Sequence, residues 1–74
     1  METLDLHGER HEQVVQKVHS FVYNNDLPVR VITGKSETMK KIVVDTVSQL
    51  GNYTHCERLI NEGCLIVTEQ EFVI

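Results

Sequence analysis

The chain has 74 residues, of which 41% are hydrophobic and 24% charged, with a formal net charge of −4. That length supports a single domain, 1–74, with a small core. The acidic balance excludes a generally basic nucleic-acid-binding surface, so any hold on phosphate must be local. No apolar run reaches the roughly 18 residues a membrane span needs. The start, Met1-Glu2-Thr3-Leu4-Asp5, has neither the basic nor the apolar region of a signal peptide. The expected location is cytoplasmic, with no membrane partner.

Leu4-Asp5-Leu6-His7-Gly8 alternates apolar and polar residues. The pattern predicts a strand over 3–7, with Asp5 and His7 sharing one face. From residue 9 to about 24 the period becomes helical, with Val14, Val15, Val18, Phe21 and Val22 on one side. Asn24-Asn25-Asp26 stops this helix and Pro28 prevents its resumption. Residues 29–33 are rich in β-branched side chains and predict a second strand, expected to be buried on both faces. Gly34 breaks it. Ser36 is placed to cap a second helix, with Glu37 in its first turn and Gly51 as its stop. A third strand is expected over 53–60, a hairpin loop over 61–63 and a fourth strand over 64–68. The tail, 69–74, is expected to fray or to dock its apolar end on the sheet.

The order βαβαββ defines an α/β domain: a mixed four-stranded sheet packed with two helices, its last two strands antiparallel. Strand order is left open by the sequence. Strand–helix–strand units bring the ends of strands one and two to the same edge of a parallel pair, where ligands of such sheets bind. The prediction is therefore that Gly8 and Gly34 lie on one edge, with the "DLHG" and "TGKS" stretches side by side.

The chemistry of that edge is specific. A helix N-terminus offers main-chain N–H groups to an anion. Gly34 admits a ligand close to the backbone, Lys35 adds charge, and Thr33 and Ser36 add hydroxyls. Lys40 and Lys41 complete the one local concentration of basic residues. His7 can donate to phosphate or move a proton near neutral pH, and Asp5 is placed to orient it or to hold an ion through water. Taken singly, each group has an ordinary structural reading: Asp5 as a cap or ion-pair partner, His7 as a hydrogen-bonded turn residue. Their convergence makes the candidate site. His11, His19 and His55 read as solvated or structural. Cys56 and Cys64 lack zinc-type spacing and read as ordinary strand residues.

"LDLHG" followed by a helix, a second strand ending in "TGK", another helix and a terminal hairpin resembles the Smr (small MutS-related) domain. That family carries an L-D-[LV]-H-[GR] motif near its start and an [HT]-G-x-G motif after its second strand, and the resemblance covers essentially the whole chain. It implies a fold similar to the C-terminal domain of bacterial translation initiation factor three. It also implies binding of DNA or RNA and a nicking endonuclease activity. Carried over, it points to Asp5, His7 and Gly8 in the first motif and to Thr33, Gly34 and Lys35 in the second. Two positions depart from the family pattern: Ser36 replaces the last glycine, and Arg10 stands where many members have a helix-capping threonine.

The leading expectation is thus a nucleic-acid-binding domain that cleaves a phosphodiester bond. Asp5 and His7 would do the chemistry, and Gly8, Thr33, Gly34, Lys35, Ser36, Lys40 and Lys41 would hold phosphate. The alternative is a non-catalytic module that binds nucleic acid or a protein through the same edge, with Asp5 and His7 serving structure. No cofactor is implied: a divalent ion such as magnesium fits the chemistry, but the carboxylate cluster that fixes two metals is not evident.

Overall fold

The computed structural model describes residues 1–56 and 63–69. The elements are β1 (Thr3–Asp5), α1 (His11–Asn24), β2 (Val29–Ile32), α2 (Glu37–Gln49), β3 (Tyr53–Cys56) and β4 (Cys64–Thr68). The order is the predicted βαβαββ and the domain is a small α/β fold with a mixed four-stranded sheet. Three expectations fall partly outside the described residues: residues 57–60 of the third strand, 61 and 62 of the hairpin loop, and 70–74 of the tail.

The strand order is β1-β2-β4-β3. β1 runs parallel to β2, with Leu4 opposite Val31. β4 is antiparallel to both its neighbours, pairing Val31 with Leu65 and Thr54 with Val67. β2 and β3 therefore run in the same direction, as a strand–helix–strand crossover requires, but β4 lies between them. The strand richest in apolar residues thus takes an inner place, where both of its edges are hydrogen-bonded.

Both helices pack into one core. Val14 and Val18 from α1 meet Met39, Val43 and Val47 from α2 over Val29, Val31, Leu65 and Val67 of the central strands, together with the fully buried Leu6. Along β2 burial alternates: Val29 and Val31 are buried while Arg30 and Ile32 are only partly so. This corrects the expectation of a strand buried on both faces. The helices contribute to a single layer, and period-two alternation turns the intervening residues to the other side of the sheet.

Helix ends follow local chemistry. Ser36 caps α2, its Oγ accepting from the N–H of Met39 at 3.1 Å. At the other end the N–H of Asn52 donates to the Val47 carbonyl and that of Gly51 to Ser48, the paired bonds of a Schellman stop. α1 ends as the asparagines foretold, with Asn24 Nδ2 donating to the Ser20 carbonyl and Asn25 Nδ2 to that of Phe21. Its start is weaker. Arg10 occupies the N-cap position without a side-chain capping bond, its guanidinium lying instead 3.6 Å from Glu12.

Two stability outcomes follow. Replacing Arg10 with Thr supplies the missing acceptor to an extended N-cap backbone and should stabilise the domain by about 0.5–2 kcal/mol in urea unfolding. Leu6→Ala removes a fully buried side chain and should cost about 2–5 kcal/mol in the same measurement, a large share of what a domain of this size has to lose.

Candidate phosphate-binding edge

The site is built by two turns. β1 stops at Asp5, two residues before the predicted end, because the chain turns there. The Asp5 carboxylate Oδ1 accepts from the main-chain N–H of His7 at 2.9 Å. The N–H of Glu9 donates to the Leu6 carbonyl at 2.9 Å. Gly8, with φ +83°, occupies the third position of this turn, where a type II geometry demands positive φ. Leu6 ties the turn to the sheet: its N–H donates to the Ile32 carbonyl at 2.8 Å, one step beyond the β1–β2 ladder.

The second turn follows β2. The N–H groups of Thr33 and Gly34 both donate to the carbonyl of Gly63, at 2.8 and 3.2 Å. The Thr33 hydroxyl lies 2.9 Å from the Gly34 carbonyl and 3.3 Å from that of Gly63. Gly63 packs directly on Gly34, where a Cβ on the former would touch the Cα of the latter at 3.5 Å.

The two turns meet. A Cβ on Gly34 would sit 2.9 Å from Cδ2 of His7, closer than real Cβ atoms come to another heavy atom. The imidazole therefore lies across the bare face of Gly34, and His7 remains exposed. Gly34 also has φ +68°, so glycine is required there twice over, for conformation and for space. Gly8 and Gly34 lie on one edge of the sheet, as the crossover argument predicted.

Several roles expected from the sequence change. Asp5 and His7 do not share a strand face, because His7 belongs to the turn. The Asp5 carboxylate holds the His7 main chain, the usual work of an aspartate two residues before an N–H. Thr33 is buried and its hydroxyl is turned to carbonyl oxygens, so it is not a phosphate donor. The Gly34 N–H is likewise spent on Gly63. Ser36 uses its oxygen as the cap of α2, which leaves its hydroxyl hydrogen for another acceptor. Lys40 is mostly covered, its side chain 17% exposed, with Nζ 3.5 Å from the Glu37 carboxylate. Glu37 also stands in the first turn of α2, where its charge already answers the helix dipole.

Among the described residues, the exposed groups left at this edge are the His7 imidazole, the Lys35 side chain and the Ser36 hydroxyl hydrogen, beside the start of α2, whose first N–H groups have no partners within the helix. Lys41 is exposed one turn further along α2. Gly63 is the residue that sequence reasoning missed. It contributes a carbonyl, and main-chain acceptors leave no side-chain signature. The one available signal was its place immediately before a strongly apolar strand.

The remaining expectations fall elsewhere. His11 and His19 are exposed on α1, and Nε2 of His55 lies 3.1 Å from the Thr68 hydroxyl across the β3–β4 pair. Cys64 is a half-buried free thiol. Among the described residues no three His, Cys, Asp or Glu side chains are grouped to hold a metal ion, and no helix is long and apolar enough to cross a membrane. No protein-family model, curated protein or solved structure matches the chain.

The contact between the turns predicts an asymmetry between two glycines. Gly34→Ala should lower stability by about 1–2 kcal/mol, the cost of a side chain in the left-handed region. It should also displace the His7 ring, seen as a change in the ring's chemical shifts and in its nuclear Overhauser contacts to residue 34. Gly63→Ala meets only ordinary van der Waals distances and should leave those contacts in place.

Proposed function

We propose that this domain binds nucleic acid at the edge formed by the two turns, and that His7 serves there as the proton-transfer group in phosphodiester cleavage. The observation that carries the reading is the seating of an exposed imidazole on Gly34, next to Lys35 and the start of α2. A phosphate held by Lys35 and free N–H groups of the helix would lie beside a group able to take a proton from an attacking hydroxyl or give one to a leaving oxygen. The resemblance of "LDLHG" and "TGK" to the Smr motifs supports the same edge and the same chemistry.

Asp5 has a positioning role in this scheme. It fixes the turn through the His7 main chain, and the ring is placed by Gly34. That observation also favours a second reading. Among the described residues, the imidazole whose neighbouring carboxylate is committed to the backbone has no orienting carboxylate of the kind general bases commonly have, which suits a non-catalytic module that only binds nucleic acid.

Cleavage of single-stranded, gapped and branched substrates separates the two. If His7 transfers the proton, His7→Ala should reduce cleavage by about 10²–10⁴-fold while affinity and melting temperature stay close to those of the parent. Full activity in that variant would remove the catalytic role. Binding without cleavage by the parent protein would establish the second reading.

A further inference from the structure

Among the described residues, three of the basic side chains are answered by carboxylates within the fold. Lys17 Nζ lies 2.7 Å from Glu9, Arg10 lies 3.6 Å from Glu12 and Lys40 lies 3.5 Å from Glu37. Arg30 is half-buried within β2 and is not free. Lys35 and Lys41 are exposed, and among the described residues neither has an acidic partner within ion-pair distance. Both belong to the α2 end of the candidate edge.

From this distribution we infer that the edge takes a short single-stranded segment of nucleic acid through about two phosphates, one at Lys35 and one at Lys41. The inference rests on the nucleic-acid reading above and specifies its substrate class. Lys41 lies five residues beyond the Ser36 cap, about 7.5 Å along the helix axis. That short rise keeps the two lysines near enough to each other to meet phosphates close together on one strand.

A duplex fits this edge poorly. It carries about one charge per 1.7 Å of axis and spreads that charge over a wide face. The same end of the sheet carries exposed carboxylates: Asp5 at the end of β1, Glu12 in the first turn of α1 and Glu37 in the first turn of α2. A duplex anchored at Lys35 would bring further phosphates towards these groups on a chain whose net charge is −4. Recruiting Lys40 to a phosphate would free the Glu37 carboxylate beside that phosphate, and the repulsion would oppose the gain. A short flexible strand engages the two free lysines, passes only Glu37, which Lys40 already holds, and keeps clear of Asp5 and Glu12.

The test is the salt dependence of binding, measured by fluorescence anisotropy with labelled oligouridylate, oligothymidylate and a duplex DNA several turns long. Two single-strand contacts give a slope of log affinity against log salt of about −1.4, or about a sevenfold loss between about 50 and 200 mM salt. Lys35→Gln and Lys41→Gln should each flatten the slope by about 0.7, with unchanged circular dichroism. Lys17→Gln, remote from the two free lysines in the charge pairing, should leave it as it was. Comparable or tighter binding to the duplex overturns the inference, as does a slope steeper than about −4. So does a slope that is insensitive to both lysines. In each of these cases nucleic-acid binding itself would stand. Absence of binding to all three probes at low salt overturns both the inference and the reading beneath it.

Discussion

The parallel pairing of β1 with β2 is the constraint on which the rest depends. Leu4 faces Val31 within the ladder, and the Leu6 N–H continues the pairing by donating to Ile32. This last bond fixes where each strand lets go of the sheet. Beyond it the two chains turn at adjacent points, and His7 meets Gly34 because both leave from the same height. Leu6 secures the arrangement from below, since its side chain is buried in the core while its neighbours Asp5 and His7 stay in solvent. The core and the candidate site are thus joined through one residue.

β4 supplies the second constraint. Inserted between β2 and β3, it brings Gly63 alongside the β2–α2 turn, where a single carbonyl receives the N–H groups of Thr33 and Gly34. A turn bonded in this way has its donors committed before any ligand arrives. Buried polar groups without partners are costly, and Thr33 illustrates the solution: its buried hydroxyl is satisfied by the carbonyls of Gly34 and Gly63. The residues left to a ligand are consequently fewer than the motif contains, and they are the exposed ones.

Electrostatics narrow the site further. Lysines paired to glutamates at the surface gain little stability from the contact, but the pairing removes positive charge from the potential that an approaching phosphate meets. The local basic patch read from Lys35, Lys40 and Lys41 reduces to Lys35 and Lys41 once Glu37 is placed against Lys40. Affinity for phosphate on this acidic chain depends on which lysines lack a partner more than on how many the sequence holds.

The sequence by itself determined what depends on residues within a few positions of one another. Element order, the Ser36 cap, the asparagine stop of α1 and the Gly51 stop of α2 are all set by bonds between near neighbours, and all were legible. So was the meeting of Gly8 and Gly34 on one edge, because a strand–helix–strand crossover allows little else. The end of β1 was not, since alternation in 3–7 continues past the point where Asp5 bonds the His7 main chain. Tertiary structure alone decided that β4 is an inner strand, that β2 is buried on one face, that Gly63 closes the second turn and that Lys40 is paired. Each of these depends on which strand lies beside which and in what register. That choice is made by the burial of the whole apolar set at once, and no single stretch of sequence carries it.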